Sequence, residues 1–264
     1  MNHFTHALRQ LTKAPLLTTA AVLSLALAIS ANTALFTIFD QLILRPHSFS
    51  EPDTLVRVWS NNPKVGFAAP SVSWMKYEVI RDSQKVFALT AASTFSSFSY
   101  ARPNAEPEQL VGQRVTESFF RVLGVEPLRG RGFSAEEDRP GGAFVAVVSH
   151  EFWQTRLGGL DSALGAPIRL NGTDHTLIGI LPPHLSAPYN NAQVFITHTW
   201  EPAALLPSQV QAGASYLQIT ARLKPGVSFE TANKEIAMLG VQYAGAFASR
   251  MDAQTPNELR TLTE

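Results

Sequence analysis

The sequence predicts an α+β protein: one N-terminal transmembrane helix, then an extracytoplasmic domain of mixed strands and helices in two subdomains. Three observations predict it. Leu16 to Phe39 is 24 residues long without one ionisable side chain. The 219 residues beyond position 45 suffice for one sizeable domain or two small ones. Within them, runs that alternate apolar and polar residues mix with runs at helical spacing, without strict βαβ repetition.

A helix over Leu16–Phe39 would reach roughly 36 Å, enough for a hydrocarbon core of about 30 Å. Arg9 and Lys13 precede it and Asp40 follows at once, so residues 1–13 are expected in the cytoplasm and the bulk outside. Ala28-Ile29-Ser30 before Ala31 resembles a signal-peptide cleavage site. The apolar run nevertheless continues through Leu35, Phe36, Ile38 and Phe39, longer than the roughly 7–15 residues of a signal core. Retention is therefore expected, with Leu16 and Phe39 as the membrane-spanning ends. Phe4, Leu8 and Leu11 share one side of a helix, which reads as a short amphipathic segment in the inner interface or as an ordinary leader.

The elements follow in order. Leu55–Trp59 alternates and reads as a strand, with Asn61–Gly66 as a loop. Val72, Met75, Val79 and Ile80 recur at helical spacing between Ser71 and Gln84, with Ser71 or Ser73 as N-cap. Val86–Tyr100 and Gln109–Thr116 read as extended, Glu117–Leu123 as a short helix stopped by Gly124, and Glu126–Gly142 as irregular. Ala143–Val148 reads as a buried strand; Ser149 then caps a helix with Phe152, Trp153 and Leu157 facing inward. Asn171-Gly172 between extended runs predicts a type I′ hairpin that sets Arg169 opposite Asp174 and Ile168 opposite His175. Gln193–Thr199 and Tyr216–Leu223 read as strands. Ser228 caps a helix running towards Arg250, with Ala232, Ile236, Leu239, Tyr243 and Phe247 as its inner stripe.

Composition narrows the function classes. The chain has no cysteine, which excludes disulfides, thiolate metal sites and a cysteine nucleophile. Beyond residue 45 there are 21 − 3 = 18 basic and 21 − 1 = 20 acidic side chains, so no basic footprint for nucleic acid exists. With one span, the chain alone cannot be a complete transporter. No G-x-S-x-G, H-E-x-x-H or G-x-x-x-x-G-K-[ST] occurs. Gly130-Arg131-Gly132 lacks a third glycine and a preceding strand. Ser149 reads as a cap rather than a nucleophile, and His150-Glu151 has no second histidine at helical spacing. Glu136-Glu137-Asp138 reads as a solvated acidic turn, and His175, His184 and His198 as surface or core residues. No catalytic, cofactor-binding or metal residue is assigned.

Several stretches resemble the MacB-like periplasmic core domain of ABC export permeases, specifically the acidobacterial duplicated orphan permease type of the FtsX-like family. They are Ala31-Asn32-Thr33-Ala34 with Leu44-Arg45-Pro46, then Glu51-Pro52-Asp53 with Leu55-Val56. Next come Phe119-Phe120, Leu123-Gly124-Val125, Pro127 and Gly130-Arg131-Gly132-Phe133. Ser149-His150, Phe152-Trp153, Leu170-Asn171-Gly172 and Ile180-Leu181-Pro182 complete the set. The resemblance implies a porter-like subdomain plus a β-rich insert, organised as a cytoplasmic segment 1–13, a transmembrane helix 14–40 and a periplasmic core domain 47–264. It also implies a non-catalytic permease component of an inner-membrane export or mechanotransmission system, with membrane lipid, a separate ABC ATPase and other permease chains as partners. Family members continue into further spanning helices, so a C-terminally truncated product or fragment is expected. The competing readings are a membrane-anchored enzyme, which needs His150, Glu151 or residues 136–138 to converge, and a ligand-binding sensor, which needs an apolar cavity.

Overall fold

In the computed structural model, residues 15–39, 49–62, 67–102, 106–183, 185, 187–202 and 205–262 are described. The chain forms two compact units, 1–47 and 48–264. In the first, α1 (Pro15–Phe39) is 25 residues long and carries no charged side chain. Leu16, Val22, Leu23, Leu25, Leu27 and Ile29 are all exposed. Thr33 Oγ1 donates to the Ile29 carbonyl at 2.8 Å, satisfying the hydroxyl within the helix. Among the described residues no helix is long and apolar enough to cross a membrane. The amphipathic segment expected over 3–13 and the Leu44-Arg45-Pro46 exit lie outside the described residues.

The second unit is a mixed sheet with helices on its faces. Its elements are β1 (Leu55–Asn62), β2 (Phe67–Ala69), α2 (Trp74–Ser83), β3 (Phe87–Ala101), β4 (Glu108–Val115), α3 (Phe119–Leu123) and β5 (Arg129–Gly130). β6 (Val145–Val148), α4 (His150–Arg156), β7 (Pro167–Leu170), β8 (Thr173–Ile180) and β9 (Val194–Ile196) follow. The chain then forms α5 (Pro207–Ala212), β10 (Gln218–Leu223), α6 (Phe229–Ala246) and β11 (Asn257–Thr261). The strand order is β11-β1-β10-β3-β4-β9-β6-β8-β5, with β2 beside β1 and β7 joining β3 to β8.

One lobe is a split βαβ. Its two arms, β1-α2-β3 and β10-α6-β11, interleave as β11-β1-β10-β3 with antiparallel neighbours throughout. Ser73 and Ser228 cap the two helices by accepting from Lys76 N and Thr231 N, each cap contributing about 1 kcal/mol. Tyr77 and Ile80 from α2 and Ala232, Ile236 and Leu239 from α6 pack on Val56, Val58, Ile219 and Ala221. The inward face of α2 is Lys76, Tyr77 and Ile80, not the expected stripe through Met75 and Val79. Val72 lies outside the helix and forms a bridge with Leu217. α6 ends at Ala246; Phe247 caps its end against the Tyr243 ring at 4.9 Å and is only half-buried. Asn61 and Asn62 extend β1 rather than opening a loop.

The other lobe, inserted between β3 and β10, is β-rich. Alternation on β6 sends Val145 and Val147 into the core under α3, and Ala146 and Val148 into the core under α4. A strand covered on both faces reads as an unbroken apolar run, which VAVV is. The hairpin forms in the expected register, with Arg169 opposite Asp174 and Ile168 opposite His175. β3 belongs to both lobes: residues 87–93 pair with β10 and residues 93–100 with β4. Residues 90–94, where both faces are covered, are the small side chains Thr90, Ala91, Ala92, Ser93 and Thr94.

Candidate functional site

The first candidate is the corner where the chain joins the sheet. Phe49 is buried, edge-on to Tyr189, and Ser50 N donates to the Leu123 carbonyl at 3.2 Å. Arg222 on β10 stands opposite Leu55, and its side chain is only 12% exposed. Its guanidinium donates to the carbonyls of Val122 (3.0 and 2.7 Å) and Ser50 (2.7 Å) and to Thr54 Oγ1 (2.7 Å). The Glu51 carboxylate lies 3.7 Å away. Burial pushes the Arg222 pKa down and Glu51 opposes this. The group stays charged because an arginine does not lose its proton in a protein. Gly124 holds φ +67, and a Cβ there would meet Ser50 Oγ at 2.2 Å. Thr261 pairs with Val56, and Leu262 packs in the same core as Phe49 and Leu55. Segment 49–54, α3, β10 and the end of β11 thus meet at one joint.

The second candidate is a cleft of about 690 Å³ between the lobes, lined by α2, the start of β3, the N-terminal side of α3, the loop 135–140 and Trp200. Trp74 packs against Tyr77 at 5.5 Å and Trp200 at 6.1 Å. Arg81 pairs with Asp82 at 2.7 Å, and Arg121 pairs with Glu117. Asp138 accepts from Glu117 N through Oδ2 at 2.9 Å, while its buried Oδ1 has no hydrogen bond of normal geometry. Burial pushes its pKa up to about 6. The Ser118 hydroxyl is committed to the Thr90 carbonyl at 2.6 Å.

The sequence candidates scatter. Ser149 spends its oxygen on Phe152 N at 3.1 Å, as the cap reading expects. His150 packs on Trp153, and neither it nor Glu151 lines the cleft that Asp138 lines. The acidic turn is a correction: only Glu136 is solvated. Glu137 is locked by Arg131 and Ser134 N, and Asp138 faces the cleft. Gly130 serves close approach to β8, since a Cβ would meet the Ile178 carbonyl at 2.1 Å. His175 and His198 are both buried and bracket Phe144 at 5.4 and 5.1 Å; burial lowers both pKa values. His184 lies outside the described residues. Among the described residues no group of three His, Asp or Glu could hold a metal ion. Of the expected membrane-spanning ends, Leu16 stands exposed at the start of α1 and Phe39 is its last residue.

Sequence reasoning missed Arg222, because one arginine in an alternating strand carries no signal of its partners. It also missed a buried network. Lys76, 1% exposed, donates to the carbonyls of Asp252 (2.8 Å) and Thr255 (3.0 Å) beneath the Tyr243 ring. The Asp252 carboxylate accepts from Ser73 and Tyr243 and lies 3.9 Å from Arg250. Burial lowers the Lys76 pKa, against the pull of Asp252.

Comparisons with known proteins bear on this geometry. A domain of a protein assigned as a permease from Porphyromonas gingivalis superposes with a TM-score of 0.59 at 21% identity, over 81% of this chain and 92% of that one. The periplasmic region of MacB from Actinobacillus actinomycetemcomitans gives 0.53 at 15% identity, over 82% and 91%. The extracellular domain of the noncanonic ABC-type transporter YknZ from Gram-positive bacteria gives 0.54 at 13%, over 78% and 99%. At these identities the likeness is one of fold. No curated protein matches at a significant level. Residues 18–239 match the family described as the MacB-like periplasmic core domain. That match spans most of the chain and both lobes, and the chain belongs to the MacB-like periplasmic core domain family.

Proposed function

We propose that the chain is the permease component of an ABC-type export or mechanotransmission system, relaying conformational change without catalysing a reaction itself. The observation that carries this is the extent of the family match. It begins at residue 18, inside α1, so the helix and the mixed domain belong to one family unit. Residues 1–13 lie in the cytoplasm and 14–40 cross the bacterial inner membrane, with Leu16 and Phe39 near the two ends. Residues 47–264 form the periplasmic domain. Support for the span comes from the sequence of α1, 25 residues without a charged side chain, six of whose apolar residues are exposed. The family's permeases work with ABC ATPases, and this chain is assigned a separate ATPase subunit and further permease chains as partners. The joint at Arg222 suits a relay, because motion at residues 49–54 passes directly to α3 and the central sheet.

Protease added to intact spheroplasts tests the topology. Region 50–264 should be digested while the cells stay sealed, and the chain should stay with the membrane through an alkaline wash. Protection of 50–264 until lysis overturns the arrangement.

A further inference from the structure

We propose that the β-rich lobe carries a binding pocket for a free single-chain amphiphile with an anionic head, where the end of β3 meets β7 and the turn after α4. The pocket measures about 490 Å³, inside the range of about 300–1,000 Å³ typical of small-ligand sites. Leu157, Ala163 and Pro167 form its wall, and it reaches the buried Tyr100 and Ile168 of the α4 core. At its mouth Leu160 is 61% exposed. That exposure is held in place, because Trp153 Nε1 donates to the Leu160 carbonyl at 3.0 Å and pins the backbone. An apolar surface fixed open to water beside an apolar pocket gains by covering.

The charges choose the head. Arg169 is matched by Asp174 across the hairpin at 3.7 Å. Glu108 is taken by Arg156, whose Nε lies 2.8 and 3.1 Å from its two oxygens. Arg102, on the pocket rim, is left 3.8 Å from that occupied carboxylate. Among the lining residues, Arg102 and Arg169 against Asp174 leave one positive charge in excess, which complements a carboxylate or phosphate. The wall of Leu157, Ala163, Ala166, Pro167 and Ile168 presents apolar side chains, against which an acyl chain brings no polar group that needs a partner.

The test uses the full chain in phosphatidylcholine nanodiscs and dodecanoate carrying a photoreactive diazirine at its terminal carbon, with cross-links mapped by mass spectrometry. Saturable labelling should fall within residues 157–168 and be competed by dodecanoate but not by dodecanol. Arg102→Glu should raise the half-saturating concentration about tenfold, as loss of one charge-assisted contact implies. Ser162→Trp, at an exposed lining position, should abolish labelling with the circular dichroism unchanged. Equal competition by dodecanol, labelling confined to residues 1–47, or indifference to both variants overturns the proposal. Loss of labelling when the discs contain phosphatidylglycerol assigns the site to a membrane lipid and overturns the free-ligand reading. The pocket is built only from residues 100–174, so its failure and a failure of the topology assignment are separate results.

Discussion

Gly124 shows how one atom can decide a joint. Its left-handed φ and the 2.2 Å approach to Ser50 leave no room for a methyl group. Gly124→Ala should cost about 2 kcal/mol or more, read as a lowered denaturation midpoint with an unchanged slope. Asp138 makes a different prediction. Its folded pKa of about 6 lies above the ordinary 3.8, so its contribution to stability is full below about pH 4 and is lost as the pH rises through 6. Asp138→Asn should therefore be more stable than the parent at pH 7.5, by on the order of 2 kcal/mol, with the difference vanishing near pH 4. Stability titrations of the two proteins side by side check both sign and window. In the sequence Asp138 was just the third acid of a run. Its burial depends on Glu117 N, 21 residues away, and such pairing leaves no local trace.

Among the elements, α2 and α6 depend on more than their apolar stripes. The loop after α6 returns Asp252 under both helices, where it meets Ser73, Tyr243 and the backbone held by Lys76. Asp252→Ala removes the carboxylate and leaves a buried ammonium short of compensation. The expected loss is about 3–5 kcal/mol, measurable by chemical denaturation, with early hydrogen exchange in both helices. The caps at Ser149 and Ser228, the Gly124 stop and the Asn171-Gly172 hairpin were legible because each is a local device with a local sequence mark, and Ser73 is one of the two caps the sequence offers for α2. The inner face of α2 was not, since Lys76 is polar by composition and buried by its partners. β11 was missed because Asn-Glu-Leu-Arg-Thr carries only one apolar side chain. It is a strand because β1 offers it a free edge and Asn233 Oδ1 accepts from Leu259 N at 2.7 Å. Without β11 the second βαβ arm cannot be seen, so the sequence reads as an irregular mixture when it is two interleaved arms split by an insert.

Across the whole molecule the two lobes share β3, and no linker divides them. The core under α3 draws Leu55 and Leu262 from one lobe and Val145, Val147 and Phe195 from the other. Residues 48–264 should therefore unfold in a single transition, with near-ultraviolet and far-ultraviolet circular dichroism melting together. Two separated melts would show that the insert is autonomous. The mixed α+β class and the buried β6 were readable from the pattern of apolar residues. The candidate joint was not, because Arg222 gathers Ser50 and Thr54 from one stretch and Val122 from another, both far from it in the chain.

Val56 and Thr261 are opposite partners at the same end of two antiparallel strands. A tension applied there would open the β1–β11 ladder like a zipper, one rung at a time, instead of loading all its rungs together in shear. The Arg222 clasp sits at the first tooth and ties the incoming segment sideways to β10 and α3. Cutting it should turn a stiff hinge into a ripcord.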